Sequence, residues 1–348
     1  MRGFANGPWS GDRLFPKDSI HVTRIEKTLY EELKNWEGFL GKVGQVYQNG
    51  FDLFKEEGRK VVHFRSERWL HSPFGAILDR PVREWVGEVS LREGDPFWKA
   101  GRLLFRKPQN GWSVELEPCD IVDLRRTLTS SPPGSETMLL WIRRMADEIV
   151  KSGRFEGMAG TAFLLGNEWP EIFPAFPIPI SVWSRHALPQ SRSLIEAAVH
   201  EDLGLFEEAW EGLLGLGPGL TPAGDDFLVG FLASHKLFSS SLGRRLGEED
   251  LKRSLRKKAE SKTNRIAVQF LADALEGLFS ESLYRVFGSL TAEGQEENPE
   301  RMARGEFEYF LKWGHSSGAD TLMGAAFGLW AMIQADRGRA SSFNYIPR

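Results

Sequence analysis

Three short stretches in the second half of the chain gather residue types that do chemistry. The first is Gly215-Leu216-Gly217-Pro218-Gly219-Leu220-Thr221-Pro222-Ala223-Gly224-Asp225-Asp226, with four glycines and two adjacent acids in twelve residues. Glycines let a backbone approach a ligand closely. Thr221 suits a helix N-cap and Pro222 the first helical position, so the stretch predicts a tight loop opening onto a helix. The first N–H groups of that helix are expected to be free, and such an end holds a phosphate or carboxylate. Asp225 and Asp226 complicate this, because they can satisfy the helix dipole themselves or hold a metal or an ammonium group. The stretch is not the phosphate loop of nucleotide hydrolases, whose Gly-Lys-Ser/Thr ending is missing. It is not a dinucleotide fingerprint either, since no strand clearly precedes it.

The second stretch is Trp313-Gly314-His315-Ser316-Ser317-Gly318-Ala319-Asp320. Ser316 or Ser317 can cap the following helix, and His315 sits just outside its start. A histidine, two hydroxyls and a carboxylate this close suit acid–base or nucleophilic chemistry, although only geometry makes a catalytic set. The third is Ser261-Lys262-Thr263-Asn264-Arg265, another helix start, with Thr263 as its cap. Lys262 and Arg265 are suited to holding an anion. In the plainer reading, each stretch is a turn and a cap. The third then ends a solvated basic helix, since residues 244–265 hold nine basic and four acidic side chains.

The first two stretches echo each other. Gly224-Asp225-Asp226-Phe227-Leu228-Val229-Gly230 and Gly318-Ala319-Asp320-Thr321-Leu322-Met323-Gly324 both read G-x-D-x-L-x-G and both open a long apolar run. The pattern predicts two helix N-termini meeting at one site, related by a pseudo-twofold axis. The alternative is coincidence between two helix starts.

The elements that must position these residues are mostly helices. From Ser191 onward the predicted helices are 191–201, 206–214, 222–238, 248–260, 264–279, 281–290, 299–313 and 319–334. Glu136 to Lys151 is helical too. Trp169 to Pro189 contains five prolines and is expected to wrap as an extended segment. The N-terminal third reads as β, with strands at 42–47, 60–64, 86–91, 102–105 and 112–116, a hairpin signal at Asn110-Gly111 and a helix at about 25–39. The fold class is therefore α+β, a small barrel or sandwich followed by a mainly helical domain. The expected division is 1–128 β-rich, 129–190 linker helix and wrapping segment, and 191–348 helical, carrying the glycine-rich motifs.

Net charge is −4, which gives no global case for nucleic acid or an anionic membrane as partner. A single cysteine rules out an internal disulfide and a multi-cysteine metal site, and is compatible with a reducing cytoplasm. Met1 to Pro16 lacks a signal-peptide core, and no apolar run approaches the roughly 18 residues that span a bilayer. The remaining histidines show no metal-ligand spacing, and His71-Ser72-Pro73-Phe74-Gly75 reads as a turn.

Taken together and in order, Gly215–Gly230, Lys262–Ile266 with Gln269-Phe270-Leu271, and Gly314–Gly324 resemble the AllH family; Ser72-Pro73-Phe74-Gly75 resembles its N-terminal part more weakly. The family often shows a histidine-serine pair after its first strand glycine, where this chain has Gly44-Gln45-Val46-Tyr47. The resemblance implies a cytoplasmic subunit of oxamate carbamoyltransferase, which turns oxalurate and phosphate into oxamate and carbamoyl phosphate during allantoin breakdown. It also implies companion subunits, one of them similar to acyl-CoA synthetases. The matching expectation is an anion pocket of Gly217, Gly219, Thr221, Lys262, Thr263, Asn264, Arg265, Ser316 and Ser317. His315 would carry a proton, and Asp225, Asp226 and Asp320 would take substrate amide N–H groups, a divalent metal or the facing helix end. Two other readings stay open: a non-catalytic subunit that binds an anionic metabolite, and a stand-alone metal-assisted hydrolase using the aspartates.

Overall fold

The computed structural model describes residues 18–55, 60–70, 72–81, 91–105, 112–125, 127–164, 178–291 and 299–343. The strand expected at 86–91 lies outside them except for Leu91, as do Asn110-Gly111, His71, Met1 to Pro16 and the first part of the proline-rich segment. The chain divides into two compact units, Met1–Leu124 and Arg125–Arg348.

Strands β1 (Asp18–Glu26), β2 (Gly38–Val46), β3 (Gly50–Lys55), β4 (Val61–Arg65), β5 (Gly75–Leu78), β6 (Pro96–Ala100), β7 (Leu103–Phe105), β8 (Trp112–Glu115) and β9 (Asp120–Val122) build the first unit, with helix α1 (Lys27–Lys34) after β1. Their order is β5-β4-β3-β2-β6-β7-β8-β1-β9, and β1 also pairs with β5, so the sheet curls into a half-barrel. Its core holds Phe51, Phe64 and Phe97 together with Leu29 and Leu33 of α1. The helix expected at 25–39 is shorter than its apolar pattern suggested. Residues up to Glu26 pair in β1, and the Glu26 carboxylate caps α1 by accepting from the Leu29 N–H at 3.0 Å. β1, β3, β5, β6 and β9 were not anticipated.

The second unit is helical: α2 (Ser135–Ser152), α3 (Thr161–Leu164), α4 (Val182–His200), α5 (Leu203–Leu213), α6 (Ala223–Leu237), α7 (Ser241–Arg245), α8 (Glu249–Lys262), α9 (Arg265–Leu275), α10 (Glu281–Thr291), α11 (Pro299–Leu311) and α12 (Ser317–Phe343). α4 begins nine residues before the expected Ser191 and runs through Pro189. Ser181 caps it by accepting from the Ser184 N–H at 2.9 Å, and Ala187, Ser191 and Leu194 are buried on either side of the proline, so packing overrides the lost backbone bond. α6 and α12 form the central pair, with α2 and α4 also packed on α12. Phe227, Leu228, Phe231 and Leu232 of α6 and Leu322, Met323, Phe327 and Ile333 of α12 are fully buried, which is why these segments are apolar on nearly every side.

Candidate functional site

The two G-x-D-x-L-x-G helix starts meet. A methyl group added at Gly230 would overlap the Thr321 carbonyl oxygen, and one added at Gly324 would overlap the Phe227 carbonyl oxygen. Gly230 and Gly324 hold the same place in the two motifs, and so do Phe227 and Thr321. The contact is therefore reciprocal, as across a twofold axis. The correspondence extends outward: Gly224 packs on the Leu213 carbonyl at the end of α5, and Gly318 on the Phe310 carbonyl at the end of α11. The Thr221 and Ser317 hydroxyls bond across the junction at 2.9 Å.

Two expected caps are corrected. Pro222, not Thr221, is the N-cap residue of α6, because the Thr221 hydroxyl turns to Ser317. Asn264, not Thr263, caps α9: its Oδ1 accepts from the N–H groups of Ile266 at 3.0 Å and Ala267 at 3.1 Å. The α6 start is also less open than expected. The Gly224 N–H donates to the Leu216 carbonyl because the loop folds back over the first turn, and those of Asp225 and Asp226 donate to the Pro222 carbonyl as ordinary first-turn bonds. In the loop itself Gly217 and Gly219 sit at φ +106°, a conformation that favours glycine, and their N–H groups have no partner among the described residues.

The three aspartates divide their work. Asp225 is buried, and both its oxygens are used: Oδ1 accepts from the Gly215 N–H at 2.9 Å and Oδ2 from the Thr263 hydroxyl at 2.5 Å. Asn264 adds a bond from Nδ2 to the Leu220 carbonyl at 2.8 Å. Thr263 and Asn264 thus pin the glycine-rich loop to the α8–α9 junction. Burial raises the Asp225 pKa to about 6 despite these two bonds.

Asp226 and Asp320 differ from it. Each has an Oδ2 that is buried and without a hydrogen-bond partner. Asp226 keeps partial exposure as a residue, whereas Asp320 is fully buried. Burial, then the charge of Asp320, pushes the Asp226 pKa well above the usual carboxylate range; Ser317 and Thr221 hydroxyls oppose this and Asp225 adds to it. Burial raises Asp320 to about 7, against hydrogen bonds from Ser316 and two backbone N–H groups and with a small push from Glu156.

Those N–H groups come from a segment that sequence reasoning missed. Met158 and Ala159 donate to Asp320 Oδ1 at 2.6 and 3.0 Å, and a methyl group at Gly157 would overlap the carboxylate. The Gly157 carbonyl in turn accepts from the Ser184 hydroxyl at 2.9 Å and from that of Ser181. Arg154 donates to the Gly314 and His315 carbonyls at 2.5 and 2.7 Å. The only sequence signal was two glycines among small residues, Gly157-Met158-Ala159-Gly160.

His315 is 79% exposed and lies 3.9 Å from Glu156. Lys262 is half exposed with its Nζ 3.6 Å from Glu211. Arg265 is half-buried at the first position of α9. Among the described residues, no group of three or more His, Cys, Asp or Glu side chains is placed to hold a metal.

The second unit is thus a helical domain whose two central helices start against each other, with two carboxyl groups at these starts that each keep a buried, unpartnered oxygen. Residues 213–329 match the family model described as oxamate carbamoyltransferase subunit AllH, which bears out the resemblance over that segment. The match contains both G-x-D-x-L-x-G starts and the whole Lys262–Arg265 stretch. No solved structure matches the chain. Among the described residues, no helix is long and apolar enough to cross a membrane.

Proposed function

We propose that this chain is a subunit of an oxamate carbamoyltransferase-type complex. It works in the cytoplasm with companion subunits, in the phosphorolysis of oxalurate to oxamate and carbamoyl phosphate during allantoin breakdown. The observation that carries the reading is the family match over 213–329. The reciprocal meeting of the two helix starts inside that segment supports it. Phosphate, oxalurate and carbamoyl phosphate are anions. The N–H groups of Gly217 and Gly219 with the Thr221, Ser316 and Ser317 hydroxyls form the anion-facing part of the proposed site, and Lys262 and Arg265 supply positive charge from the neighbouring junction. His315 stands at the rim. Donors of this kind also stabilise charge that develops on the carbamoyl oxygen.

Reconstitution tests this. Oxalurate- and phosphate-dependent formation of carbamoyl phosphate should require this chain, and Asp226→Asn or Asp320→Asn should lower it by about 10²-fold or more. Assemblies that stay inactive on oxalurate would overturn the substrate reading. A second reading has a specific observation behind it: the motif glycines also act as a packing device, and the first α6 N–H groups are consumed by the fold. In that case the subunit binds a metabolite or scaffolds the complex without doing chemistry. The complex would then keep full turnover in both Asn variants.

A further inference from the structure

The two helix starts leave a polar imbalance at their junction. Carboxylate oxygens accept hydrogen bonds and cannot donate them, yet Asp226 Oδ2 and Asp320 Oδ2 are both buried without a donor. Leaving two such oxygens ionised and unpaired is unfavourable, because buried polar groups need partners. The groups around them do not remove the conflict. The charges that raise the two pKa values further are those of Asp225 on α6 and Glu156, both acids. Arg154 spends its guanidinium on the Gly314 and His315 carbonyls. The Thr221, Ser316 and Ser317 hydroxyls offset only part of the cost. A proton on either carboxyl converts an acceptor into a donor and removes one of the two charges.

We infer that Asp226 and Asp320 act as one carboxyl pair that holds a single proton between them and serves as the acid and base of the site. The raised pKa values of both groups agree with this, as does the charge of Asp320 behind part of the Asp226 shift. Two macroscopic protonation steps then belong to the pair rather than to either residue. The catalytic part of the inference rests on the carbamoyl-transfer reading. A phosphate oxygen forms a bond to the carbamoyl carbon, and the bond from that carbon to the oxamate nitrogen breaks. The proton of hydrogenphosphate passes to the ionised member, and the protonated member gives its proton to the leaving nitrogen. The pair ends with one proton, as it began. Solvent-exposed His315 is not needed for either transfer.

Infrared spectroscopy of the purified full chain at neutral pH tests the proton without any substrate. The wild type should show a buried protonated-carboxyl band, and Asp226→Asn and Asp320→Asn should each abolish it. Absence of the band in the wild type overturns the pair. So does a band that survives either single Asn variant, since one residue would then be protonated by itself. If Asp320→Asn does not fold, the pH titration of the wild-type band decides: two protonation steps support the pair, and a single step overturns it. In the reconstituted complex, the rate should fall at both low and high pH, and the Asn variants should lose about 10²- to 10⁴-fold. A band that behaves as expected in a complex inactive on oxalurate removes the substrate reading and leaves the pair standing. An active complex without the band does the reverse.

Discussion

Asp225 and Asp226 are sequence neighbours with different duties, and the difference lies in what reaches their oxygens. Asp225 is fastened by Gly215 and Thr263, so it holds the loop; Asp226 keeps one oxygen without a partner. Replacing Thr263 with Val keeps the shape and removes the hydroxyl. A hydrogen bond to a buried carboxylate is worth about 1.5–3 kcal/mol, so chemical denaturation should show a loss of that size. The Asp225 pKa should rise further above about 6, since the Thr263 bond is the stronger of the two that oppose burial. An unchanged stability would mean that the loop is held elsewhere. The sequence named all three aspartates but could not divide them, because the division depends on Thr263 and Met158, which are 38 and 162 residues away from their acids.

Elements were legible to the extent that their signals were local. Most helices from 203 onward lie within about four residues of their expected positions, but α7 (Ser241–Arg245) was not anticipated and α12 runs to Phe343, past the expected end at 334. β1 was missed because its identity comes from β5, β8 and β9, far along the chain, while its Ile25 also fits a helical pattern. The α6–α12 contact was legible through the spacing of two glycines, and it makes a sharp test. In an exposed helix, Gly→Ala gains up to about 1 kcal/mol. At Gly230 or Gly324 the added methyl meets a backbone carbonyl that cannot turn aside, so Ala should destabilise by about 2–3 kcal/mol as the helices are forced apart. Gly288→Ala in α10, where nothing lies within 4 Å, is the control and should be neutral or stabilising. Melting temperatures that move the same way in all three variants would refute close packing as the reason for the motif glycines.

The two units should answer acid in opposite senses. In the β unit, burial works to raise the Asp52 pKa, but His63, Arg65 and the Tyr47 hydroxyl hold it well below the usual carboxylate range. A depressed folded pKa gives stability above the ordinary carboxylate range, and that stability is lost as pH falls through the folded value. In the helical unit the signs reverse. Asp225 at about 6, Asp320 at about 7 and Asp226 above the usual range bind protons in the folded state that the unfolded chain does not hold until about pH 4. Their contribution is complete below that and is lost as pH rises through 6–7. Buried His235 opposes them, because its pKa is lowered to about 3 by burial and the unfolded chain takes up that proton first. Three carboxyls outweigh one imidazole, so between pH 7 and 5 the helical unit should gain about 1–3 kcal/mol per pH unit of acidification. The β unit should hold steady over that interval and weaken only below about pH 4. Hydrogen exchange followed by segment separates the two, since α6 and α12 report one and β3 and β4 the other. If α6 and α12 exchange faster at pH 5 than at pH 7, the buried carboxyls are ionised throughout, and both the shared proton and this pH response fail together.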